Sequence, residues 1–129
     1  MSATISIVHP SDEDRRVLAG CMAREAAGTA TYASGEALLR SLAIDASGCV
    51  IVPSDLPGLG TRALIEALRA LHPALRVVVL GRNGDLATAV AFVRAGAVEY
   101  LSPPLSYRRL LAVVRWTLAL PANAVALPR

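Results

Sequence analysis

Few side chains in this sequence are able to bind a metal, attack a substrate or move a proton. They are His9, His72, Cys21, Cys49, Ser54 and a handful of acids, among them Asp12 and Asp55. His9 as a metal ligand or pH sensor would need a second ligand, and no His, Cys or acid accompanies it at ligand spacing. It reads as a loop residue. His72 precedes Pro73, and a residue before proline is biased out of helical geometry, so it reads as the end of a helix. Cys21 and Cys49 match no metal motif, and a secreted disulfide scaffold would carry more cysteines. Two buried thiols in a reducing cytoplasm are expected. Ser54 has a hydroxyl but no visible partner base. There is no Ser-His-Asp arrangement, no phosphate-cradling glycine loop and no Cys-x-x-Cys pair. All thirteen basic residues are Arg, which excludes Schiff-base and lysine acid–base chemistry and a lysine on a phosphate.

The elements that must position these groups follow from pattern. A chain of 129 residues, 54% apolar and 18% charged, suits one domain with one substantial core. Short β-branched runs cover Thr4 to Val8, Thr29 to Tyr32, Cys49 to Val52, Arg76 to Leu80 and Val98 to Leu101. Between them, helical spacing covers Asp12 to Ala26, Gly35 to Ala43, Gly60 to Leu71, Leu86 to Ala95 and Tyr107 to Leu120. Five strand–helix alternations predict a doubly wound α/β domain with a parallel sheet. Cys49 to Val52 and Val77 to Leu80 are continuously apolar, as central parallel strands are. Ser11 with Asp14 three residues on reads as a helix start, Ser34-Gly35 as another, and Gly96 as a helix end at positive φ. The domain is expected over 1–120, with a tail or linker start over 121–129.

The net charge is +3, and the arginines are scattered from Arg15 to Arg129. The nearest cluster, Arg108, Arg109 and Arg115, reads as one face of the last helix, so direct nucleic-acid binding is not expected. No basic start followed by an apolar run and no apolar stretch of membrane length is present, so a cytoplasmic protein is expected.

Three stretches resemble bacterial response-regulator receiver domains. From Gly48 the sequence reads Gly-Cys-Val-Ile-Val-Pro-Ser-Asp-Leu-Pro-Gly-Leu-Gly, similar to the phosphoacceptor strand, its loop and the Met-Pro-Gly turn. Val77 to Val90 resembles the fourth strand and its loop, closest to nitrogen-fixation regulators with a helix-turn-helix output. Ala95 to Leu105, Ala-Gly-Ala-Val-Glu-Tyr-Leu-Ser-Pro-Pro-Leu, resembles the segment ending in Lys-Pro. The similarity runs from about Ile5 to Leu118. It implies the five-stranded (βα)5 flavodoxin-like fold with strand order 2-1-3-4-5.

Against that pattern the chemistry is missing. The two acids that hold Mg²⁺ in the family match His9 and Pro10. The aspartate that accepts the phosphoryl group matches Pro53, the hydroxyl residue ending the fourth strand matches Gly81, and the lysine matches Pro103. Mg²⁺ requires oxygen ligands, and phosphoryl transfer requires a nucleophile and positive charge at the transferring oxygens. The resemblance therefore implies a pseudo-receiver: not an enzyme, with no cofactor and no Mg²⁺. Asp12 and Asp55 read either as relocated acids or as a helix start and a turn cap. The Pro103–Pro104 bond is expected to be cis, as the family's corresponding bond usually is.

What remains is a recognition surface for a protein partner in two-component signalling, with a homodimer expected. It would comprise Ala87, Val90, Ala91 and Arg94 on the fourth helix, Tyr100 on the fifth strand, and Arg108, Ala112 and Arg115 on the last helix. Phe92 and Ala89 read as the core side of the fourth helix, and Trp116 as either packed down or an interface anchor. Two alternatives stand beside this: the regulatory domain of a longer DNA-binding regulator, or a small-molecule sensor using the pocket of His9, Pro10, Pro53, Gly81 and Pro103.

Overall fold

Every residue of the run Gly48–Pro53 is buried, as a strand paired on both edges and covered on both faces must be. In the computed structural model, which describes residues 3–121, this run is β3. The elements are β1 (Thr4–Val8), α1 (Asp12–Met22), β2 (Gly28–Tyr32), α2 (Gly35–Ser41), β3 (Gly48–Pro53), α3 (Thr61–Leu71), β4 (Leu75–Leu80), α4 (Leu86–Ala95), β5 (Glu99–Leu101) and α5 (Tyr107–Ala119). All strands are parallel, in the order β2-β1-β3-β4-β5, which is the expected topology. The expected tail lies, beyond Pro121, outside the described residues.

The period of two along each strand sorts side chains between two cores. Cys49 and Ile51 of β3 join Ile5 and Ile7 of β1 against Leu18 and Met22 of α1 and Leu110 and Val114 of α5. Val50 and Val52 point the other way, with Val77 and Val79 of β4, against Leu38 of α2, Leu64, Ile65 and Leu68 of α3, and Ala95 of α4. Each fully buried Leu or Ile contributes about 1.5–3 kcal/mol relative to exposure. Two cores fed by one sheet make the sheet the rigid part and its connecting loops the adjustable part.

The caps follow the local signals. Ser11 Oγ accepts from the Asp14 N–H at 3.1 Å, and Ser34 Oγ from the Ala37 N–H at 3.1 Å. Gly96 ends α4 at φ 129°, a conformation that L side chains rarely adopt. His72 ends α3. The Pro103–Pro104 peptide is cis.

Two helices stop earlier than their sequences suggest. Residues Ala23 to Ala26 have good helix propensity, yet α1 ends at Met22. The chain must turn there to place Gly28 beside Thr4 in the β1–β2 ladder. It does so through tighter i→i−3 bonds, Ala23 N–H to Gly20 C=O and Glu25 N–H to Met22 C=O. Likewise α2 ends at Ser41, whose hydroxyl donates to the Leu38 carbonyl at 2.9 Å. One thiol also departs from expectation. Cys49 is buried, but Cys21 is only half-buried, because it lies at the edge of the α1 face.

Candidate functional site

Parallel strands bring the loops that follow β1, β3, β4 and β5 to the same carboxyl edge of the sheet. His9 and Pro10, Pro53 to Asp55, Gly81 to Asn83, and Pro103 therefore meet there.

His9 is half-buried and held on all sides. Its Nδ1 accepts from the Ser11 N–H at 3.1 Å, and its carbonyl accepts from Arg15 Nη1 at 2.7 Å. Its Nε2 lies 3.7 Å from Asp14 Oδ2. The His9–Asp14 approach spans five positions and was hidden in the sequence because a helix start intervenes. Asp12 is engaged by Arg15 in an ion pair. Pro10 is exposed.

Pro53 is buried at the end of β3, and its carbonyl accepts from Thr61 Oγ1 at 2.7 Å. Thr61 Oγ1 in turn accepts from the Leu56 N–H at 3.2 Å. Thr61 thus ties down both ends of the β3–α3 loop, while α3 starts at Gly60 with no side-chain cap. Next in the loop, Ser54 Oγ accepts from the Arg82 N–H at 3.2 Å, and Asp55 Oδ2 pairs with Arg82 Nη1 at 3.1 Å. Arg82 therefore bridges the loops after β3 and β4.

Gly81 lies under the ring of Tyr100. A Cβ at position 81 would overlap the Cζ and hydroxyl of that ring. Tyr100, expected on the recognition surface, is instead buried at 6% exposure. Its hydroxyl donates to the Asn83 carbonyl at 3.0 Å, and its ring stacks on Phe92 at 6.0 Å. Pro103 is exposed beyond β5.

These residues do not fit the Mg²⁺ that active receivers bind. Mg²⁺ takes carboxylate oxygens. The nearest carboxylates, Asp12, Asp14 and Asp55, each face a basic side chain: Arg15, His9 and Arg82. Among the described residues, no three His, Cys, Asp or Glu side chains are grouped to hold a metal ion.

The second region is the surface formed by α4, β5 and α5. Ala87, Val90, Ala91 and Arg94 are exposed on α4, and Leu86 adds a further exposed apolar side chain. Ala89 and Phe92 are partly buried against the core. On α5, Arg108, Ala112 and Arg115 are exposed, but they do not act together. Arg115 turns toward the α1 side, where Nε and Nη2 each donate to Glu25 at 3.0 Å. The Arg115 partnership holds the Glu25 carboxyl below its ordinary range and raises the guanidinium. An open groove runs instead along Glu99, Arg109, Ala112, Val113 and Trp116. Arg109, Ala112, Val113 and Trp116 follow the i, i+3, i+4, i+7 spacing of one helix face, which is the signal that could have found it.

A doubly wound domain whose β–α loops gather at the carboxyl edge, with exposed residues on the α4–β5–α5 side, has the architecture of a receiver domain. The chain belongs to the response regulator receiver domain family, whose sequence model matches residues 5–115. It is 30% identical over 130 residues to the DNA-binding transcriptional regulator NtrC of Azospirillum brasilense, covering 95% of this chain and 27% of that protein. It is 29% identical to the tetrathionate response regulatory protein TtrR of Salmonella typhimurium, covering 95% of this chain and 61% of that one. The chain thus spans about a quarter of the length of the NtrC regulators it matches. The receiver domain of NtrX from Brucella abortus superposes with a TM-score of 0.82 at 28% identity, over 91% of this chain and 99% of that one. No described helix is long and apolar enough to cross a membrane.

Proposed function

We propose that this receiver domain works without phosphorylation, as a protein-recognition module rather than a phosphotransfer catalyst. The observation that carries this is the carboxyl edge. Pro53 offers no nucleophile where the family's phosphoacceptor lies, and Asp12 and Asp55 are drawn into ion pairs with Arg15 and Arg82. The recognition surface is the α4–β5–α5 side, where Leu86, Val90 and Trp116 expose apolar area beside Arg94, Glu99 and Arg109. A second copy of the chain is the partner this surface suits best. It offers both an acid and a base for reciprocal pairing across a two-fold axis, around a Trp of the kind that anchors interfaces. Incubation with a small phosphodonor and Mg²⁺ should leave the intact mass unchanged. A stable gain of one phosphoryl group, abolished by Asp55→Asn or Asp12→Asn, would overturn the reading.

A second reading has its own support. The NtrC and TtrR relatives are longer proteins, and NtrC is a DNA-binding regulator. In that reading the domain regulates an output domain in the same polypeptide, through the same surface. A ligand in the vacated pocket has less support, because the Tyr100 ring occupies the space beside Gly81.

A further inference from the structure

We infer that the free edge of β2 is a docking site for the β2 of a second copy of this chain, the two strands pairing antiparallel about Ala30. β2 ends the sheet, and among the described residues it pairs with β1 alone. The Tyr32 carbonyl accepts from the His9 N–H at 3.0 Å, and Tyr32 lies opposite Val8 in the parallel register. Along a parallel ladder one residue bonds the neighbouring strand through both backbone groups, and the next turns both away. Ala30 and Tyr32 therefore face β1, and the N–H and C=O of Thr29 and Thr31 face outward. Sheet edges are usually blunted by a charge, a proline or a bulge. The opposite edge, β5, is three residues long, starts at Glu99 and runs on into Pro103 and Pro104. β2 has none of these devices. Its five residues, Gly-Thr-Ala-Thr-Tyr, are uncharged, its register on β1 is unbroken, and Thr29 and Thr31 are exposed.

What fits this edge is set by where its free groups lie. In an antiparallel ladder, alternate residues exchange both N–H···O=C bonds with the residue opposite. β2 supplies such a set to itself. With Ala30 on a two-fold axis, Thr29 of each copy lies opposite Thr31 of the other, outward groups against outward groups. Both threonine side chains fall on one face of the sheet, where Thr–Thr pairs across strands are favourable. The flanking charges match as well. Arg24 precedes β2 and Glu36 follows it, both exposed and equally spaced about Ala30. Neither has an ion-pair partner among the described residues. The two-fold brings the Arg24 end of one copy to the Glu36 end of the other, and this complementarity selects a second copy over an unrelated strand. β2 and β5 are opposite edges, so the contact is separate from the α4–β5–α5 surface and does not rest on it.

The test reads the edge itself. Backbone amide exchange is followed residue by residue by NMR in dilute and concentrated samples of the full chain. Exchange at Thr29 and Thr31 should slow about tenfold or more in the concentrated sample. Thr31→Pro removes one outward N–H at an edge position that tolerates proline, and should abolish the slowing at Thr29. Charge separates lost pairing from lost fold. Thr29→Glu with Thr31→Glu sets like charges opposite each other across the axis and should remove the protection at both positions. Thr29→Lys with Thr31→Glu sets opposite charges there and should keep it. If Thr31→Pro fails to fold, the two double variants decide. Equal behaviour of those two variants overturns the inference. So does exchange at Thr29 and Thr31 that ignores concentration, whether the protein stays a single chain or associates through another surface.

Discussion

Arg115 on α5 grips Glu25, beyond the end of α1, through two parallel 3.0 Å hydrogen bonds from Nε and Nη2. The pair joins residues ninety positions apart and ties the turn after α1 to the last helix. Arg115 does not line the groove on α5, which is formed by Arg109, Ala112, Val113 and Trp116 with Glu99.

The Glu25–Arg115 pair should show in the acid limb of stability. The folded-state carboxyl value of Glu25 is lowered, chiefly by the Arg115 hydrogen bond. Its contribution is therefore present above the unfolded carboxylate range and lost as pH falls through the depressed folded value. Arg115 stays charged throughout. In urea unfolding, Arg115→Ala should be less stable than wild type at neutral pH, with the gap closing at pH below the ordinary carboxylate range. A gap independent of pH would show that lost packing, not the ion pair, is responsible.

Thr61 is the hinge pin of the β3–α3 loop. Its buried hydroxyl donates to Pro53 C=O and accepts from Leu56 N–H. Thr61→Val keeps the shape but leaves both backbone groups unpaired, and should cost about 1–3 kcal/mol. Thr61→Ser should recover most of that. Denaturant midpoints of the two variants check this, and equal losses would assign the effect to the methyl group instead.

The legible and illegible parts of this molecule divide by range. The caps at Ser11 and Ser34 and the end at Gly96 are written within four residues of each helix terminus, so pattern alone placed them. The strand order came with the family resemblance. The depth to which Tyr100 is buried depends on the absence of a side chain nineteen positions earlier, just past the end of a neighbouring strand, which no local pattern reports. The ends of α1 and α2 were overrun for the same reason: local propensity favours helix, and the sheet register overrides it. Asp12 and Asp55 read as relocated acids or as a helix start and a turn cap, and Asp14 as part of a helix start; their basic partners became visible only with the loops in place.

The two thiols should differ in reactivity. Burial pushes the Cys49 thiol up to about 12, so almost none of it is thiolate at neutral pH. Cys21 is half-buried on α1. Iodoacetamide at neutral pH should add a single carbamidomethyl group to the folded protein, at Cys21, and a second only in denaturant. Modification of Cys49 in the folded state would indicate opening of the α1–α5 core.

The recognition surface makes the last prediction. Val90 is 38% exposed and Trp116 47% exposed, so neither is a core residue whose loss should unfold the domain. If a second copy docks on this side, Val90→Asp places a charge in the middle of the α4 contribution, where desolvation opposes it. Trp116→Ala removes the aromatic anchor, a change that costs interface hot spots about 2 kcal/mol or more, roughly thirtyfold in dissociation constant. Both variants should sediment nearer the 13.5 kDa of a single chain at concentrations where the wild type is heavier. Glu99→Arg should do the same by opposing Arg109, and Glu99→Arg combined with Arg109→Glu should restore the mass. Recovery in the charge-swapped variant is the decisive outcome, because general destabilisation would not be reversed by a second substitution. A wild type that sediments as one chain throughout would leave the surface to a different protein partner.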